Sequence, residues 1–336
     1  MSSLRLVGLS LLASLVLFPL QAAAWDRGEV EKFATFPPGS AGPEGITVDR
    51  HGNVYATTFA VPPSGLGQLF VFNREGHLVR QRSVDNSSSQ LLGLDFHPKT
   101  GALLVIDFGN AKVLKVNPVN GDSEVFATVV GGAGLNALTF DKQGNVYISD
   151  SAQGIIWKTG QNGGPATAWV TDEILTTKGV PPFGANGLGF NRNENALFVA
   201  NTGNDTVVQI PVSGGVPGAP FVLTNSINGA DGLILDDHDN IWVAANQADE
   251  IVVIDKTGKA IAKLGDFDGI DRHGAPRGLL FPASLVRFGD WIYITNLSLD
   301  LRKFGLQTVD SQWAAQVTTQ TLSRIRARIP HKHEHN

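Results

Sequence analysis

The stretch GPEGITVDRHGNVY, residues 42–55, constrains this chain more than any other feature, because it comes back. It returns as GLNALTFDKQGNVY at 134–147, GANGLGFNRNENALF at 184–198 and GADGLILDDHDNIW at 229–242. With two weaker copies, six repeats begin near Pro43, Leu91, Leu135, Ala185, Ala230 and Pro282, and successive starts lie 44 to 52 residues apart. A period of about 40 to 50 residues built from short strands is the pattern of propeller blades. The third repeat reads as four strands, NALTF, VYISD, GIIWKTG and ATAWVT, and the first two are joined by the turn DKQGN. Gly and Asn accept positive φ at little cost, so such turns between β-branched and aromatic runs are hairpin chemistry. No stretch sustains a helical apolar period.

The sixth repeat supplies only three strands, SLVRF, WIYITN and TLSRIRARI, while EVEKFATF at 29–36 precedes the first. Pairing that segment as the outer strand of the last blade closes the ring and removes exposed edges. The expectation is therefore an all-β fold: a six-bladed β-propeller over residues 25–330, closed by an N-terminal strand completing the last blade. Two connections exceed their counterparts, FAVPPSGLGQ in repeat 1 and LSLDLRKFGLQTVDSQWAAQVTTQ in repeat 6. As ring neighbours they are expected to overhang one side of the channel mouth, with Phe304 and Trp313 as candidate lid residues. EILTTKGVPPFGAN, leading into repeat 4, is a third candidate wall.

Composition narrows the function. The 336 residues include 38 glycines and 17 prolines, in keeping with frequent turns, and a formal net charge of -5 gives no basic surface for nucleic acid. There is no cysteine, so disulfides, thiolate metal sites and a cysteine nucleophile are excluded. Arg5, an apolar run from Leu6 to Leu20 and Ala22–Ala24 read as a signal peptide over residues 1–24, the alternative being an uncleaved anchor. The mature protein is expected to be exported, periplasmic or secreted, with no membrane association after cleavage. HKHEHN, residues 331–336, is a His-rich tail expected to fray. Asn86, Asn204 and Asn296 lie in glycosylation sequons, relevant in a eukaryotic host.

One residue varies inside the constant frame: Glu44, Asn136, Asn186 and Asp231 occupy the same phase, with Leu92 and Ala283 in the remaining repeats. First strands of propeller blades line the channel, so these four side chains are expected to converge. Two carboxylates and two amide oxygens make a hard-oxygen site suited to calcium or another divalent cation, and unsuited to zinc. The competing reading is that EG, NG and DG are turn dipeptides. His51, His77, His97 and His238 read as solvated turn residues and not as catalysts. No G-x-S-x-G elbow, H-E-x-x-H helix or phosphate loop is present.

PEG with Glu44, NG with Asn186 and DG with Asp231, plus Asn136, make the chain resemble the calcium-dependent six-bladed propellers of the SMP-30/gluconolactonase family. Paraoxonases and strictosidine synthases are more distant relatives. The resemblance implies that the four residues hold a divalent cation at the base of a substrate pocket and that Asp231 acts as general base, Glu44 being the lesser candidate. It also implies hydrolysis of a lactone or other small ester. The paraoxonase histidine dyad has no counterpart, and no substrate-side arginine aligns, so a sugar-acid substrate is not supported. Two other functions fit the same sequence: a non-catalytic calcium-stabilised binding propeller, and a condensing or lyase-type enzyme using a pocket carboxylate.

Overall fold

The computed structural model describes residues 26–330; the expected signal segment and the His-rich tail lie outside them. The chain is all-β and of propeller type, built from antiparallel strand sets in sequence order, those of repeats 2 and 3 joined by a short parallel pairing of Gly164 and Pro165 with Ala127 and Thr128. The six leading strands are Gly42–Val48, Leu91–Phe96, Leu135–Phe140, Ala185–Phe190, Ala230–Leu235 and Pro282–Phe288, close to the starts read from the repeats. Each packs beside the leading strand of the next repeat, and the sixth packs beside the first. Glu31–Thr35 pairs antiparallel with Thr321–Arg326, in a sheet whose other members are Trp291–Asn296 and Pro282–Phe288.

The core lies between sheets. Leu69 and Val71 of repeat 1 meet Leu103, Val105 and Leu114 of repeat 2. Phe198, Ala200 and Val207 of repeat 4 meet Ile241, Val243 and Val252 of repeat 5. Phe33 and Phe36 carry the pattern across the chain ends, packing with Phe70, Phe72 and Tyr293. This is why the middle strands are apolar on both faces: each sheet is covered on both sides, and each fully buried aliphatic or aromatic side chain contributes about 1.5–3 kcal/mol.

Some features escaped the repeat pattern. Phe267–Ile270 and Pro276–Gly278 form an extra hairpin between repeats 5 and 6. Short helical turns at Glu173–Leu175, Leu301–Phe304 and Val309–Ala314 interrupt the long connections. His51, His77 and His238 are exposed in turns as expected, but His97 is not solvated: it is 1% exposed. Its Nε2 meets Gly144 O at 2.9 Å and its Nδ1 accepts from Lys99 N and Thr100 N, so it ties the hairpin turn of repeat 2 to that of repeat 3. Asn296 is also buried, donating to Thr321 Oγ1 and Ser323 Oγ, and its sequon is inaccessible in the folded protein. Among the described residues no helix is long and apolar enough to cross a membrane.

Candidate metal centre

In every leading strand the pairing with the second strand slips at the same place: between Pro43 and Ile46, Leu91 and Leu94, Leu135 and Leu138, Ala185 and Leu188, Ala230 and Leu233, and Pro282 and Leu285. The first residue inside each slip is Glu44, Leu92, Asn136, Asn186, Asp231 or Ala283. A bulge interrupts the ladder and re-aims a side chain. The varied phase of the sequence frame is thus a strand bulge and not a hairpin turn. Freed backbone groups are met by hydroxyls from the second strands. Gly45 N donates to Thr57 Oγ1 (3.2 Å), Ala137 N to Ser149 Oγ (3.0 Å) and Ser284 N to Thr295 Oγ1 (2.9 Å). Thr57 Oγ1 and Thr295 Oγ1 in turn donate to the carbonyls of Leu92 and Glu44 in the following repeat, at 2.6 and 2.9 Å.

The glycine after the varied residue is required by proximity. A Cβ at Gly45 would collide with the carbonyl oxygen of Leu92, and one at Gly187 would stand 2.5 Å from Leu233 N. Neither glycine has positive φ. The dipeptides EG, NG and DG therefore let adjacent leading strands abut, which brings their bulged side chains together.

Glu44, Asn136, Asn186 and Asp231 are all buried and all line one narrow pocket. Asn246, one residue past the second strand of repeat 5, joins them. Its Nδ2 donates to Asp231 Oδ2 at 2.9 Å, and Asn186 Nδ2 donates to Thr202 Oγ1 at 2.9 Å. The rest of the wall is apolar: Phe59, Leu92, Phe281, Leu297 and Leu299, with Pro181 and Phe183 from the connection into repeat 4. Sequence reading missed Asn246 because it falls outside the repeated frame; its only signal was a polar pair, Asn246-Gln247, directly after the apolar strand IWVAA.

Burial, and then the charge of Asp231, hold the Glu44 carboxyl well above the usual carboxylate range. Burial raises Asp231 to about 7, against the hydrogen bond from Asn246 and the nearby Asn186 amide, which act in the lowering sense. Three buried oxygens here have no hydrogen-bond partner among the described residues: Glu44 Oε2, Asp231 Oδ1 and Asn246 Oδ1. Orphaned buried oxygens are costly, and two close carboxylates costlier still. A hard cation would relieve both, so the donor set fits calcium. Among the described residues no three His, Cys, Asp or Glu side chains cluster, so the candidate set here is two carboxylates completed by amide oxygens.

The long connections meet at this mouth. Lys303 Nζ donates to Val61 O at 3.3 Å, and a second, more open cavity is lined by residues 39–42, 59–62 and several residues between 297 and 320. Phe304 and Trp313 line neither cavity; both are largely exposed, and Trp313 stacks edge to face on Phe267 at 5.5 Å. The connection is ordered from within instead. Ser311, fully buried, donates or accepts with Thr308 Oγ1 and accepts from the backbone of the buried Leu301.

A family model described as the SMP-30/gluconolactonase/LRE-like region matches residues 98–265. No curated protein matches the sequence. Regucalcin from Agrobacterium tumefaciens, a calcium-binding protein, superposes with TM-score 0.62 at 15% identity, covering 87% of this chain and 93% of its own. A gluconolactonase from Xanthomonas campestris gives 0.60 at 11% identity, with 90% of each chain covered. Virginiamycin B lyase from Staphylococcus aureus gives 0.54 at 10% identity, with 88% and 98% covered. At these identities the structures share the fold, across proteins of different chemistry.

Proposed function

The chain belongs to the SMP-30/gluconolactonase/LRE-like family, and from that premise we propose that it hydrolyses a lactone or other small ester at the polar pocket, dependent on calcium. The observation that carries the reading is the trio of unpartnered buried oxygens on Glu44, Asp231 and Asn246, gathered where the repeats place Asn136 and Asn186. Lactonase-type hydrolysis is the activity the family supports; the metal and the roles below are our proposal. It assumes a six-bladed ring completed by the N-terminal strand, a reading supported by the sheet order and by the contacts linking the sixth repeat to the first.

Glu44, Asn136, Asn186 and Asp231 would hold the cation, which when bound supplies a Lewis acid for the ester carbonyl. Asp231 is the base candidate. Its Oδ2 is fixed by Asn246, leaving Oδ1 free to orient water. A carboxylate beside a dication is a weak base, so its contribution comes chiefly from placing that water against the carbonyl carbon. Glu44 balances charge, and the amides of Asn136 and Asn186 contribute oxygen without adding any. The apolar wall excludes bulk water, which strengthens each polar contact inside.

The deciding experiment titrates calcium into chelator-treated protein, wild type beside Asp231→Asn, and follows hydrolysis of lactones and aryl esters. Calcium-dependent turnover, lost in the folded variant, supports the proposal. Turnover that survives chelation points instead to an acid–base pocket without metal, for which the upward-shifted Glu44 and Asp231 would be the acids. Calcium binding with no turnover points to a recognition propeller. Export is part of the same proposal: the intact mass of protein from the secreted or periplasmic fraction should correspond to a chain beginning at Trp25.

A further inference from the structure

We propose that the substrate carries an apolar chain next to its ester carbonyl, and that this chain runs from the polar floor over Phe59, Leu297 and Leu299 into the cavity beneath the two long connections. The inference rests on the hydrolase reading and adds the substrate class.

The pocket is two-sided. Every polar side chain lining it is one of Glu44, Asn136, Asn186, Asp231 and Asn246, all at or beside the floor; the remainder is Phe, Leu and Pro. No Arg, Lys or His lines it, so apart from the proposed cation no positive charge there selects a carboxylate or phosphate. A polyhydroxylated lactone would press hydroxyls against Phe59, Phe281 and Leu299, and each hydroxyl buried without a partner costs about 1–3 kcal/mol. An alkyl chain loses nothing there and gains burial.

The second cavity continues the same surface. It shares Phe59, Leu297 and Leu299 with the first and adds Val61, Pro62, Ala314 and Val317. The cavity is mixed, with Ser40, Asp300, Lys303 and Gln320 also in its wall; Lys303 Nζ bonds Val61 O, Asp300 grips Arg302 at 2.9 Å, Ser40 Oγ donates to Pro37 O at 2.7 Å, and the proposed path follows the apolar strip of Val61, Pro62, Ala314 and Val317 between them. Most of these walls come from the two connections that exceed their counterparts in repeats 1 and 6, so chain-length preference is set largely by parts of the molecule outside the repeated frame.

The test measures kcat/KM of the calcium-loaded protein for γ-butyrolactone, γ-octalactone, γ-dodecalactone and glucono-1,5-lactone. Each methylene that becomes buried should raise kcat/KM, at most about fourfold, with glucono-1,5-lactone below γ-octalactone. Val317→Glu, at a half-exposed wall position, should flatten this series by lowering the dodecalactone value at least tenfold more than the butyrolactone value. A flat wild-type series, or a preference for glucono-1,5-lactone, overturns the proposal. If no lactone turns over, thermal shifts with 4-hydroxydodecanoate and gluconate separate the two readings. Stabilisation by the first alone keeps the ligand class and sinks the hydrolase; stabilisation by gluconate, or by neither, sinks the ligand class as well.

Discussion

Glu44 and Asp231 set the metal-free protein against itself. Both carboxyls are raised by burial, Glu44 also by the charge of Asp231, so deprotonation works against folding. A folded pKa raised above the ordinary value gives stability that is fully present below about 4 and is lost as pH rises through the folded value, which for Asp231 is about 7. In chelator, the melting temperature should therefore fall between pH 4 and pH 7, and calcium should cancel most of that fall. Glu44→Gln removes one of the charges and should raise metal-free stability at pH 8 by roughly 1–3 kcal/mol, while calcium stabilisation and turnover disappear. A variant less stable than wild type in chelator at pH 8 would show that the pair is not repulsive. Asn246 is tested separately, because it fixes Asp231 Oδ2 and offers its own Oδ1 to the pocket. Asn246→Leu should weaken calcium about 10- to 100-fold, read by titration calorimetry, with the fold kept. An unchanged affinity would remove Asn246 from the site.

The leading strand is the element that makes the site, and its two halves differ in how plainly the sequence announces them. The turn that follows it is legible outright. Asp49, Asp141 and Asp236 each accept two backbone N–H groups on Oδ1, and on Oδ2 the amide of Asn53, Asn145 or Asn240. The same Oδ2 also accepts from Tyr55, Tyr147 or Trp242, so Asp-x-x-x-Asn-x-aromatic is a complete hydrogen-bonding unit within seven residues. The bulge before it shows only as a polar residue followed by a small one, a signature it shares with turns. What separates the two is contact with the next repeat, about 45 residues away, which no local pattern carries. Asn246, the apolar wall residues Phe281 and Leu299, and the hairpin from Phe267 lie outside the frame for the same reason: their roles are fixed by neighbours in space. The bulge argument has a direct check. Gly187→Ala places a methyl 2.5 Å from Leu233 N and should cost about 1–3 kcal/mol, whereas Gly160→Ala, with open space around its Cβ, should leave the denaturation midpoint unchanged. Equal effects would mean that the leading strands can move apart, and the packing reason for the glycines would fail.

Across the whole molecule, the ends of the chain hold the site together. Glu31–Thr35 lies against Thr321–Arg326, nearly 300 residues away, with Arg324 binding Glu31 Oε2 through Nε at 2.9 Å and Nη2 at 2.7 Å. Phe33 stacks on Tyr293 at 4.6 Å, and Phe36 packs edge to face on Phe70 and Phe72 of repeat 1. The N-terminal strand therefore belongs to the sheet of repeat 6 and to the interface with repeat 1 at once. That interface also carries the hydrogen bond from Thr295 Oγ1 to Glu44 O, which positions the bulge bearing a proposed metal ligand. Loss of the strand should be felt at the pocket. A chain beginning at Pro37 exposes the edge of Thr321–Arg326 and strips the aromatic cluster, so it should aggregate or melt well below wild type. Phe33→Ala is the milder form: about 3 kcal/mol less stable by urea denaturation, with calcium affinity reduced as the sixth and first repeats loosen. Deleting residues 331–336 should change neither quantity. A chain beginning at Pro37 that kept both its melting temperature and its calcium binding would mean that the two ends are ornamental, and that the ring is held by contacts between repeats alone.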